Sequence, residues 1–115
     1  MTPRTLLIVD DEADVRESLR DALTDEGYNI VVASNGMEAL RLLPTLDRPC
    51  AVILDLIMPR LSGTEVYSAM RADPALAAIP VLISTSDPSR APAEVPIATK
   101  PIHFERFLTM VADLF

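Results

Sequence analysis

Cys50-Ala51-Val52-Ile53-Leu54-Asp55-Leu56-Ile57-Met58-Pro59 opens as an unbroken apolar run and stops abruptly at an acid. A strand with one wet face alternates apolar and polar residues; a run with no alternation is covered on both faces, as in parallel sheets flanked by helices. Leu6-Leu7-Ile8-Val9 has the same character and the same ending, here Asp10-Asp11-Glu12. Tyr28–Ala33, Val81–Ser84 and Val95–Thr99 read as further strands.

Helical patterns fill the gaps between these runs. Val15, Leu19, Ala22 and Leu23 mark one face of a helix that Gly27 closes. Asn35 with Glu38, and Ser62 with Glu65, have the spacing of capping boxes. The first opens a short helix through Ala39, Leu40 and Leu43 that Pro44 stops, and the second a helix carrying Val66 and Met70. Phe104, Phe107, Leu108 and Val111 line a last helix. Strand–helix alternation with short links requires right-handed crossovers, so the expected fold is α/β, a doubly wound five-stranded parallel sheet in the order 2-1-3-4-5. Pro96 agrees with an edge position for the fifth strand, because a proline cannot donate to a central ladder.

The 115 residues suffice for one domain with a core, residues 1–115, and the half-apolar composition argues against disorder. A formal charge of −7 repels phosphate backbones, which excludes direct nucleic-acid binding as the expected activity. Met1-Thr2-Pro3-Arg4 leads into an apolar run too short for a signal core or a membrane span. With a lone Cys50, this favours a cytoplasmic location, and Cys50 itself reads as a small apolar residue near a strand start. No stretch after the last helix could form an output domain, so output is expected through a protein partner; an excised domain would look the same.

Ligands of such sheets bind beyond the carboxyl ends of the strands where the order reverses, here between the first and third. Asp10, Asp11 and Asp55 all end there. Each alone is an ordinary cap or turn residue. Together they repel and need a hard cation or a fixed positive side chain. Lys100, ending the fifth strand, supplies the second; Mg²⁺, which accepts a few carboxylates and keeps several waters, suits the first. The backbone carbonyl of Ile57 is the expected further ligand, and Thr85 at the end of the fourth strand adds a hydroxyl. A nucleophilic carboxylate beside a metal, a lysine and a hydroxyl suits phosphoryl transfer.

Val9-Asp10-Asp11-Glu12, Leu54-Asp55-Leu56-Ile57-Met58-Pro59 with Ser62-Gly63, Thr85, and Lys100-Pro101 together resemble the receiver domain of bacterial two-component systems over essentially the whole chain, with its flavodoxin-like strand order. The resemblance implies that Asp55 accepts a phosphoryl group from the phosphohistidine of a histidine kinase or phosphotransfer protein, or from a small phosphodonor. It implies that Asp11, Asp55 and the Ile57 carbonyl bind Mg²⁺ directly, that Asp10 acts largely through water, and that Thr85 and Lys100 hold phosphoryl oxygens. It also implies a cis peptide at Lys100-Pro101. Such a chain is a single-domain response regulator, a signalling switch and not a turnover enzyme; the competing reading is a phosphorylation-independent interaction module.

Two departures from the family pattern stand out. Only Ser86–Thr99 separate the threonine from the lysine, and Pro88, Pro92 and Pro96 oppose a helix there, so the family's fourth helix is expected to be missing or one turn long. Ile97 occupies the position where the family commonly has an aromatic residue. Asp87 and Ile57, each two residues past a site residue, are expected to flank the approach of water. His103 reads as a surface residue at the start of the last helix. A nucleotide or flavin binder is disfavoured by the absence of a glycine-rich phosphate loop among only three glycines. An aspartyl phosphatase would need an acid or base where Ile57 stands.

Overall fold

The computed structural model describes residues 3–115; Met1 and Thr2, read above as the start of the segment before the first strand, lie outside the described residues. In chain order the elements are β1 (Thr5–Val9), α1 (Ala13–Asp25), β2 (Asn29–Ala33), α2 (Gly36–Leu42), β3 (Cys50–Asp55), α3 (Gly63–Ala72), β4 (Val81–Thr85), β5 (Ile97–Thr99) and α4 (Phe104–Ala112). The five strands pair in parallel in the order β2-β1-β3-β4-β5, as expected.

The continuous runs behave as their composition demands: every residue of β1, β3 and β4 is buried. Alternation sends Leu7, Val9, Val52, Leu54 and Ile83 toward Val66 and Met70 of α3. It sends Leu6, Ile8, Ile53 and Leu82 to the other face, against Leu19 and Leu23 of α1 and Phe107 and Val111 of α4. Phe104, expected in that apolar line, opens the first turn of α4 and stays 43% exposed.

Local chemistry sets the ends of the helices. At the end of α1, the Gly27 N–H donates to the Thr24 carbonyl and the Tyr28 N–H to the Leu23 carbonyl, with Gly27 at φ +95°. This Schellman arrangement uses a left-handed residue that glycine adopts without strain, and it takes Tyr28 out of β2. Ser62 and Glu65 form both halves of a capping box at α3. At α2 the Asn35 side chain accepts from the Glu38 N–H, but the Glu38 carboxylate reaches back one residue further, to the Ser34 N–H.

Between β4 and β5 the structure has only a single turn of 3-10 helix, Pro88–Arg90. The partly buried Ala91, Val95 and Ile97 pack onto the α2–α3 face there in place of a helix. The strand expected from Val95 begins only at Ile97: the Pro96 carbonyl still accepts from the Ile83 N–H, but Pro96 has no N–H to return. The Lys100-Pro101 peptide is cis, as the resemblance implies, and so is Arg48-Pro49.

Candidate functional site

The register of the sheet builds a row of side chains at its carboxyl edge. Val9 pairs with Leu54, and the Asp10 N–H carries the β1 ladder one step on by donating to the Ala33 carbonyl, so Asp10 comes to stand beside Asp55. Asp55 pairs with Ser84, and Ser84 with Ala98. Past Ala98 the Lys100 N–H donates to the Thr85 carbonyl, which fixes the root of the lysine. Its ammonium reaches back across the row, 2.9 Å from Asp10 Oδ2 and 3.6 Å from Asp55 Oδ2.

The backbone holds the remaining carboxylate oxygens. The Glu12 N–H donates to Asp10 Oδ1 at 2.9 Å, and the Ile57 N–H donates to Asp55 Oδ1 at 3.2 Å. The second bond folds the β3–α3 loop back over Asp55. Gly63 allows that fold to close. Its N–H donates to the Leu56 carbonyl at 3.0 Å, and a Cβ there would lie 2.1 Å from the Asp55 carbonyl oxygen. Only glycine lets the first turn of α3 sit this close to the Asp55 backbone.

Asp10 and Asp55 are buried at 2% and 4% exposure, whereas Asp11 faces solvent. Burial pushes the Asp55 carboxyl up to about 6; the neighbouring Asp10 adds to the rise, and Lys100 and the Ile57 N–H oppose it. For Lys100, burial acts to lower the ammonium, but the hydrogen bond to Asp10 and the charges of Asp10, Asp55 and Glu12 outweigh it and hold Lys100 above its ordinary value. One oxygen from each of Asp10, Asp11 and Asp55 lies within 4.8 Å of the others. A hard divalent ion with ligands at about 2.0–2.1 Å can gather such a set with a small inward movement, so the donors fit Mg²⁺.

The sequence-predicted residues thus fall into two groups. Asp10, Asp11, Asp55 and Lys100 converge, with the Ile57 backbone closing over Asp55. Thr85 is fully buried one step off the row, and its hydroxyl oxygen accepts from the Asp87 N–H at 3.1 Å. The Asp87 carboxylate is turned to Ser89 and, at 3.3 Å, to Arg90. The Ser89 hydroxyl is the main reason that this carboxyl is held below its usual range. His103 is exposed at the N-cap of α4. Ser84, a polar residue ending the apolar run Val81–Ile83, escaped the sequence reading; that interruption was the available signal.

Residues 6–112 match the family model described as response regulator receiver domain. The response regulator MprA of Mycolicibacterium vanbaalenii is 50% identical over 70 residues, which are 61% of this chain and 30% of that protein. The chain therefore aligns with under a third of the length of that curated relative. Among solved structures, a response regulator receiver protein from Pseudomonas putida superposes with a TM-score of 0.89 at 28% identity, covering 98% of each chain. The response regulator TrrA of Thermotoga maritima, in complex with Mg²⁺-BeF, gives 0.86 at 30% identity, covering 99% of this chain and 100% of that one. Among the described residues no helix is long and apolar enough to cross a membrane.

Proposed function

The chain belongs to the response regulator receiver domain family, and from that premise we propose that it is a Mg²⁺-dependent phospho-acceptor in two-component or phosphorelay signalling, with Asp55 as the residue modified. The observation that carries this reading is the convergence of Asp10, Asp11, Asp55 and Lys100 at one end of the sheet. The donor is a histidine kinase or phosphotransfer protein, the class with which receiver domains interact, and the output passes through a protein partner. We place the exchange in the cytoplasm. The domain acts stoichiometrically, assisting only its own phosphorylation and hydrolysis.

Asp10, Asp11, Asp55 and the Ile57 carbonyl are the residues that would hold Mg²⁺, which supplies positive charge to the phosphoryl oxygens. Asp55 Oδ2 is the attacking atom. Lys100 restrains it at rest through a 3.6 Å contact and is positioned to follow the charge onto the transferred group. The Ile57 N–H keeps the other oxygen in place, so that the carboxylate presents one face in line with the incoming phosphorus. Thr85 can reach a phosphoryl oxygen by exchanging its bond to the Asp87 N–H. That exchange would loosen the Pro88–Arg90 turn, which Asp87 caps, and so carry the signal to the surface.

The reduced segment between β4 and β5 favours a second reading, an interaction module that does not depend on phosphorylation. Intact mass after incubation with Mg²⁺ and acetyl phosphate separates the two. The switch requires a gain of one phosphoryl group, lost when Mg²⁺ is withheld and in Asp55→Ala. A folded, metal-supplied protein that gains nothing from the phosphodonor or from a candidate kinase is the interaction module.

A further inference from the structure

Ser84 is the polar group at the acceptor that the mechanism above leaves without a task. It is 1% exposed, and its hydroxyl has no hydrogen-bond partner among the described residues. A hydroxyl buried in this way destabilises a fold, whereas an apolar group of the same shape would not. Its position is specific. Ser84 pairs with Asp55 across β3 and β4, and registered residues of parallel strands share a face. That face carries Ile53, Leu82 and Ala98, and Asp10 flanks Asp55 on the opposite side from Ser84. To reach Asp55 from the end of β5, the Lys100 side chain must cross β4, where Ser84 stands.

We propose that Ser84 is a positioning residue that acts through Asp55: its hydroxyl donates to the Asp55 side-chain oxygen released as the phosphoryl group departs, and steadies the carboxylate that forms. This rests on Asp55 being the phospho-acceptor. In the resting protein Ile57 and Lys100 occupy the two Asp55 oxygens. Phosphorylation turns one oxygen into the ester bridge and draws Lys100 toward the new phosphoryl oxygens, which leaves Ser84 as the unspent donor in the row. In hydrolysis a water oxygen bonds to phosphorus and the bond from phosphorus to the Asp55 oxygen breaks. Its electron pair returns to the carboxylate, and both water protons leave with inorganic phosphate. A hydroxyl donates more strongly to a carboxylate than to a neutral acyl oxygen. Ser84 therefore favours the departing state and shortens the life of the phosphorylated form.

The test follows phosphoryl decay by intact mass after removal of acetyl phosphate, with Mg²⁺ present, in the parent, Ser84→Ala and Ser84→Cys. The cysteine variant nearly preserves volume and replaces the hydroxyl with a weak donor. Both variants should lose the group about tenfold more slowly than the parent, the size of one charge-assisted hydrogen bond. Thermal unfolding of the unphosphorylated, Mg²⁺-free proteins should show Ser84→Ala at least as stable as the parent, which a hydroxyl serving the fold would not permit. Decay at the parent's rate in both variants, or a less stable Ser84→Ala, overturns the proposal while leaving Asp55 as acceptor. A parent that gains no phosphoryl group overturns the acceptor reading and this proposal with it.

Discussion

Replacing Asp55 by Asn should stabilise the metal-free protein at neutral pH, although it removes a residue at the centre of the site. The Asp55 carboxyl titrates at about 6, against an ordinary 3.8, first because burial withdraws water from its charged form and next because Asp10 stands beside it. An acid with a raised folded-state value binds its proton more tightly in the folded chain than in the unfolded one. Stability from this group is therefore greatest below about pH 4 and is lost as pH climbs through about 6. A shift of about two units corresponds to about 3 kcal/mol. Screening by the solvent that reaches exposed Asp11 trims this to about 1–3 kcal/mol. Lys100 does not enter this window. Its ammonium is held above the ordinary 10.5, so its contribution is intact at neutral pH and is lost only at higher pH.

Urea unfolding followed by circular dichroism in EDTA, for parent and Asp55→Asn across pH 4 to 8, measures the difference directly. The amide nearly matches the carboxyl in volume and stays uncharged, so the two curves should meet near pH 4 and separate as pH rises. Asn should lead by about 1–3 kcal/mol at pH 7. Adding Mg²⁺ at pH 7 should then stabilise the parent, because an ion that binds only the folded chain shifts the equilibrium by mass action, and should do little for the variant. A variant less stable than the parent at pH 7, or a gap that does not change with pH, would refute the view that crowded, desolvated charge is the cost of this crevice.

Two further perturbations probe the framework and the cation. Gly63→Ala places a Cβ 2.1 Å from the Asp55 carbonyl oxygen and 2.7 Å from the Leu56 Cα, both backbone atoms. It should cost about 3 kcal/mol in urea unfolding and weaken Mg²⁺ binding by calorimetry, since α3 must draw back from the β3–α3 loop. Lys100→Met removes the positive charge shared by Asp10 and Asp55, so the Asp55 titration followed by NMR should move upward from about 6, and the mass gain with acetyl phosphate should disappear.

What the sequence shows of this fold is what burial dictates. β1, β3 and β4 are buried on both faces, so their composition alone marks them, and the sheet order then brings Asp10, Asp11, Asp55 and Lys100 together. The reduced β4–β5 segment was legible for another reason: three prolines in so short a span remove the donors that a helix needs. The misjudged boundaries lie where a single hydrogen bond decides. Tyr28 looks like a strand residue, but its N–H completes the cap of α1, and Val95 looks like one too, but the ladder runs no further back than the Pro96 carbonyl.

Register explains the rest. Asp10 and Asp11 are equivalent as letters, yet Asp10 continues the β1 ladder and turns inward to Lys100 while Asp11 stays in solvent. Ser84 and Thr85 are adjacent hydroxyls at the end of one strand, and side-chain alternation separates them. Ser84 pairs with Asp55 and its hydroxyl has no hydrogen-bond partner among the described residues, whereas the Thr85 hydroxyl already accepts from the Asp87 N–H. Composition identifies the hydroxyl-bearing end of β4, but only the pairing of Ser84 with Asp55 shows which hydroxyl shares the Asp55 face. A shift of β4 by one residue would exchange their places and leave every sequence motif unchanged. The chemistry of this crevice is therefore set by register as much as by residue type.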